Sequence, residues 1–282
     1  MDTPVSTKTR PPARVRRPAV AGYFYPGAPS ELAKAVDALF TDAAAEPMEA
    51  RALIVPHGGL AQSGRIAAAA IGAVRLPRRC IILGPSHTGS RMPWSVMVNG
   101  AYRTPLGDVP VDEAAAHALR ARCPFLEADA WVQPGEHAIE AVLPLLQRRA
   151  PKDLTIVPVI LGPTDAGQLP QLSEALAQVV RLLEEPVLLI ATTDLSQYET
   201  TARGAEQDAA ILGAMRMLEG ATLLQCVREQ GAVMCGDAAA ACVLDAARKL
   251  GAGRTRLVRY TTSARMGGDP GSTTGFAGLV IS

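Results

Sequence analysis

Residues 154–161, Leu-Thr-Ile-Val-Pro-Val-Ile-Leu, form an almost uninterrupted apolar run. A strand of that kind needs cover on both faces, which helices on either side of a sheet provide. Similar short runs recur at 52–56, 79–83, 95–99, 186–192, 255–261 and 275–281. Between them lie Ala- and Leu-rich helical stretches at 29–40, 63–74, 112–122, 137–149, 167–184, 204–218, 221–229 and 236–250, with Ser63 and Asp112 as N-caps. This alternation predicts a layered α/β fold. No internal repeat and no Ser/Gly linker divides the 282 residues, so the chain reads as one domain over 15–282 behind a flexible basic tail, 1–14.

Composition excludes several function classes. A hydrophobic content of 48% with 20% charged residues supplies a large core and rules out a disordered chain or a coiled coil. The net charge of +1 leaves no electrostatic footprint for nucleic acid, and cations concentrate only at Arg10, Arg14, Arg16 and Arg17, read here as solvated tail. No stretch reaches the ~18 apolar residues of a spanning helix, and the tail lacks the apolar centre of a secretory signal. The expected setting is cytoplasmic, without a membrane partner. Five cysteines, at 80, 123, 226, 235 and 242, form no CxxC pair and suit a reducing compartment as mostly buried thiols.

Three apolar runs end in a soft metal ligand beside glycine. Ala-Leu-Ile-Val-Pro leads into His57, Ile-Ile-Leu-Gly-Pro-Ser into His87, and Gly-Ala-Val-Met into Cys235. Ligands of α/β proteins gather beyond the carboxyl ends of strands, so residues distant in sequence can meet there. Two imidazoles and a thiolate make a set that suits iron, copper or zinc and leaves coordination positions open. Each histidine has a second reading, as a turn cap or a partner of a backbone carbonyl. Cys235 has two: an inert buried thiol, or a nucleophile with His57 or His87 as base, since it precedes an apparent helix start. Cys242 is expected in the core, and His117 on a helix surface.

Several segments in order resemble the Memo family. They are Arg-Pro-Ala-Val-Ala-Gly-Tyr-Phe-Tyr-Pro (17–26), Val-Pro-His-Gly-Gly (55–59), Leu-Gly-Pro-Ser-His (83–87), Thr-Pro-Leu-Gly-Asp-Val-Pro-Val-Asp (104–112), Glu-His-Ala-Ile-Glu (136–140), Thr-Thr-Asp-Leu-Ser (192–196) and Cys-Gly-Asp (235–237). The resemblance spans nearly the whole chain and implies the three-layer α/β/α fold, with a central mixed sheet, of class III extradiol ring-cleaving dioxygenases. By that resemblance His57, His87 and Cys235 match the metal positions, with Fe(II) or copper favoured and zinc as a third option. It further implies His137 and Asp194 as catalytic candidates and Phe24 as part of a pocket wall for a small molecule or peptide. Glu136 and Glu140 are expected to serve a helix dipole.

One position departs from the family pattern. Where the family commonly has Asp, two residues, then His, this chain has Asp194-Leu-Ser-Gln197. An amide orients a ligand through hydrogen bonds but takes up no proton near neutral pH, so Gln197 reads as a substrate-binding residue. The implied function is metal-dependent redox or dioxygenase-like chemistry. Two others stand beside it: a binding module without turnover, and a Cys/His hydrolase-like site.

Overall fold

The computed structural model describes residues 14–41, 46–89, 94–128, 133–162 and 166–282. Of the predicted tail, only Arg14 is among them. In chain order the strands are β1 (Val15–Arg16), β2 (Ala52–Val55), β3 (Arg79–Pro85), β4 (Ser95–Val96), β5 (Ala101–Thr104), β6 (Gly107–Pro110), β7 (Glu127–Ala128), β8 (Thr155–Leu161), β9 (Val187–Thr192), β10 (Thr255–Thr262) and β11 (Gly275–Ile281). The helices are α1 (Pro29–Leu39), α2 (Leu60–Gly72), α3 (Glu113–Arg122), α4 (Leu143–Arg149), α5 (Leu169–Leu182), α6 (Thr201–Met215), α7 (Gly220–Gln230) and α8 (Asp237–Lys249).

Eight strands build a mixed sheet in the order β10–β11–β2–β9–β3–β8–β4–β7, and β1, β5 and β6 form a small second sheet. At the centre, β2, β9, β3 and β8 run parallel. All residues of β2 and β9 are buried, as the double cover by helices demands. Helix α2 packs on β2, β10 and β11, while α8 packs on β2, β3 and β9 with α5 and α7 beside it. Close seating of α2 depends on Gly278, where a Cβ would stand 2.8 Å from the Ile66 carbonyl oxygen.

The seven expected strands are all present, and the α/β alternation holds. The 95–99 run pairs only over β4, and β1, β5, β6 and β7 carry too little apolar periodicity to have been expected. Two helix starts differ. Asp112 caps α3, its carboxylate accepting the Ala115 amide at 3.1 Å, but Ser63 is no cap: α2 begins at Leu60, and the buried Ser63 hydroxyl donates to the Gly58 carbonyl at 2.8 Å. The stretch from 137 does not start as a helix either. It passes through a 3-10 turn at Glu140–Val142 before α4, whose second residue, Pro144, suits a helix start because it has no amide proton to lose.

Candidate metal centre

Register puts the site at the carboxyl edge of the parallel strands. Val55 of β2 is level with Thr192 of β9, and Leu83 of β3 is level with Ala191, so His57, Asp194 and His87 emerge side by side a few residues later. Cys235 comes from elsewhere. The Gly-Ala-Val-Met run before it is a loop after α7, not a strand, and it folds back because Gly231 adopts a left-handed φ of 59° at the helix end. Gly236 then lets the turn approach β9: a Cβ there would lie 2.4 Å from the Thr192 carbonyl oxygen. Its amide donates to Thr193 Oγ1 at 3.0 Å, fixing the sulfur above the strand end.

One ligand atom each from His57, His87 and Cys235 lies within 4.8 Å of the others, and His57 Nε2 is 3.4 Å from Cys235 Sγ. Tetrahedral bonds to nitrogen and sulfur imply ligand separations of roughly 3.3–3.7 Å, so a small inward shift closes the set on one ion. Buried His57 has no hydrogen-bond partner for Nδ1 among the described residues. Burial, with His87 and His137 nearby, pushes its pKa down to about 3, which keeps the ring neutral and able to ligate.

Glu136 orients the second histidine. Its carboxylate accepts both the His87 backbone amide and, at 2.8 Å, His87 Nδ1, which leaves Nε2 with the lone pair for a metal. It also takes the amides of His137 and Ala138 at 2.7 and 2.8 Å. Burial alone would raise its pKa, but the hydrogen bonds from the His87 ring, the His87 amide and the Ala138 amide outweigh that and hold the carboxyl at about 2. Glu136 therefore orients His87 and does not serve a helix dipole. A second group, His87, Glu136 and His137, also has donors within 4.8 Å of one another. There the carboxylate oxygens are already occupied by four N–H donors, so His57, His87 and Cys235 are the better-fitting set.

Around these ligands the other expected residues take distinct places. The His137 ring stacks on His87 at 4.4 Å between centroids, and Phe24 meets His137 edge-on at 4.8 Å. Burial, then the neighbouring His87, lowers the His137 pKa. Asp194 is buried and accepts the His57 amide at 3.1 Å; burial lifts its pKa to about 6 against the pull of the His57 and Gly58 amides. Its own amide donates to Cys235 Sγ at 3.3 Å. Gln197 lies near that thiol and counters part of its upward shift. A cavity of about 380 Å³ opens beside Cys235, lined among others by Ser86, Leu161, Leu224, Arg228 and Asp237.

Burial and then the charge of Asp194 push the Cys235 thiol up to about 12. Two expectations fail here. Arg16 is not solvated tail but 3% exposed, its Nη1 paired with Glu140 and its guanidinium 4.7 Å from the Tyr102 ring centroid. Glu140, expected to serve a helix dipole, instead accepts Arg16, the Ala19 and Val20 amides at 2.7 and 3.0 Å, and the Tyr25 hydroxyl. Cys242 is buried in the core and His117 is exposed, both as expected.

A family model described as Memo-like protein matches residues 16–280, nearly the whole chain. This chain belongs to the Memo-like family. A MEMO1 family protein of Methanopyrus kandleri is 31% identical over 278 residues, covering 94% of this chain and 98% of its own. Others from Aquifex aeolicus and Thermotoga neapolitana are 30% and 32% identical, covering 99% and 100% of their own lengths. Among solved structures, an uncharacterized protein of Escherichia coli K12, JW3007, superposes with a TM-score of 0.54 over 81% of this chain and 98% of its own, at 14% identity. At that identity the likeness concerns the fold alone. Membership in the Memo-like family covers every residue of the candidate site, from Phe24 to Cys235. No helix among the described residues is long and apolar enough to cross a membrane.

Proposed function

We propose that this Memo-like protein holds one transition metal ion on His57, His87 and Cys235 and carries out redox or dioxygenase-like chemistry on a small substrate beside it. The observation that carries the reading is the ligand arrangement itself: two neutral-capable imidazoles and a thiol converge, and a buried carboxylate fixes the ring orientation of one imidazole. Such a carboxylate–histidine pair is the usual support of a metal-bound imidazole. The thiol makes the set softer than two histidines with a carboxylate, so copper or iron suits it, with zinc as the redox-inert occupant. A cytoplasmic, reducing setting keeps that thiol available.

When bound, the ion supplies Lewis acidity and, if copper or iron, electron transfer. The chain's own residues supply the rest. His137, stacked on His87 and edge-on to Phe24, is the imidazole that borders the ligand set without belonging to it and the candidate to take a proton from a hydroxyl of the substrate. Phe24 walls that side. The backbone amide of Asp194 faces the sulfur and holds it by a hydrogen bond, with Gln197 near the same thiol. The Asp194 carboxylate is engaged with the His57 and Gly58 amides, which assigns it to holding the His57 loop.

Gln197 supports a second reading, a small-molecule or peptide binder without turnover, because its amide sits where the family commonly has a titratable imidazole. Oxygen uptake by iron- or copper-loaded protein over a panel of catechols separates the two. Uptake that is lost in His137→Ala supports the enzyme. No uptake in metal-replete protein leaves the binder.

A further inference from the structure

We infer that Arg16 and Glu140 are positioning residues for the metal centre: they clamp the segment bearing Glu136 and His137 to the strap bearing Phe24, and so set the orientation of the His87 ring. The inference rests on the metal reading above. Both side chains are buried, Arg16 at 3% and Glu140 at 0% exposure. Two charges taken out of water are tolerated only when their remaining donors and acceptors are used. Here they are. Arg16 Nε donates to the Gln133 carbonyl at 2.8 Å, Nη1 to Glu140 and Nη2 to the Glu136 carbonyl.

The bond to the Glu136 carbonyl gives the pair its reach. The residue whose carboxylate holds His87 has its own backbone held from behind by Arg16. On the other side, Glu140 gathers the Ala19 and Val20 amides and the Tyr25 hydroxyl, which fixes the strap through Phe24. The Phe24 carbonyl in turn accepts the Leu60 amide at 2.7 Å, three residues beyond His57. One ion pair thereby ties the loop of one metal-ligating histidine to the orienter of the other. The three Arg16 acceptors match a planar fork of N–H groups, which lysine does not possess.

Cobalt(II) titration of the full-length protein tests this, read by the thiolate charge-transfer and ligand-field absorption bands. Glu140→Gln and Arg16→Lys are each expected to weaken cobalt binding about tenfold or more, as loss of a ligand's outer support does, and to shift the ligand-field bands. Tyr25→Phe, which removes one hydroxyl from Glu140, is expected to weaken it roughly threefold. Leu172→Ala, in the buried face of α5, should lower the melting temperature while leaving affinity and bands as in the wild type. Wild-type binding with unchanged affinity and bands in folded Glu140→Gln and Arg16→Lys overturns the inference and leaves the metal reading intact. Should both fail to fold, unchanged bands and affinity in Tyr25→Phe overturn it. Wild-type protein that takes up no cobalt, copper, iron or zinc overturns both.

Discussion

Glu136 grips His87 at two points, accepting its backbone amide and its ring Nδ1, the latter at 2.8 Å, across 49 residues of sequence. One carboxylate thus fixes where the loop after β3 runs, which tautomer the ring adopts and which nitrogen faces Cys235. Replacing it with Gln leaves the size unchanged but loses the charge and an acceptor for the four N–H groups around it. Metal affinity of Glu136→Gln is expected to fall 10–100-fold, about 1.4–2.8 kcal/mol, measured by competition with a chelator. An affinity equal to wild type would show that His87 does not ligate through Nε2.

Metal should stabilise the wild-type fold. At a hundredfold excess over its dissociation constant a bound ion adds about 2.7 kcal/mol, which raises the melting temperature by roughly 5–10 °C in a domain of this size. His57→Ala and Cys235→Ser are each expected to lose that increment and the stoichiometric metal, by thermal scans and elemental analysis. A rise as large in both variants would place the ion elsewhere.

Affinity should also depend on pH in a direction set by the two ligands. The Cys235 thiol, pushed up to about 12 in the metal-free site, must release its proton to bind, whereas His57, pushed down to about 3, is already unprotonated near neutrality. Binding therefore releases the thiol proton, and the contribution of Cys235 is a tenfold gain in affinity per unit rise between about pH 6 and 9. Chelator competition across that range measures the slope. The weaker residual binding of Cys235→Ser at high metal should have a slope lower by one unit, and an unchanged slope would remove Cys235 from the ligand set.

Gly236→Ala tests how the sulfur is delivered. The new methyl would sit 2.4 Å from the Thr192 carbonyl oxygen, against backbone that cannot swing aside as a flexible side chain could. The turn must back away from β9, at a cost of about 1–3 kcal/mol in stability from overpacking, and carry Cys235 out of range of His57. Denaturant unfolding and metal stoichiometry should both fall; a stable variant with full metal content would count against this account.

How much of the site could be read without coordinates differs from residue to residue. His57 and His87 were legible because each follows a continuous apolar run, and the end of a buried strand is a local property. The run before Cys235 reads as a strand but is a loop whose course depends on Gly231 and Gly236 and on contact with β9. Asp112 was a legible cap; Ser63 carried the same chemistry but faces inward toward Gly58. Glu136 and Glu140 stand early in what looks like a helix, so the helix dipole was the natural expectation, and nothing nearby in sequence reveals their partners. Arg16 lies beside other cations and before an aromatic turn, a setting that reads as solvated.

Local patterning by itself determined the layered α/β architecture and its central strands, because the repeat of apolar residues states which faces must leave water, while the ordered motifs from Arg17 to Asp237 carried the resemblance to the family. Only the tertiary structure decided the ligand arrangement and its supports. Cys235 meets His57 across 178 residues, and Arg16 meets Glu140 across 124. Such pairs form only after strand order and register bring two distant loops together. Their partners are chosen by the need to satisfy buried charge and hydrogen-bonding groups, a demand that arises only once the surrounding core has excluded water.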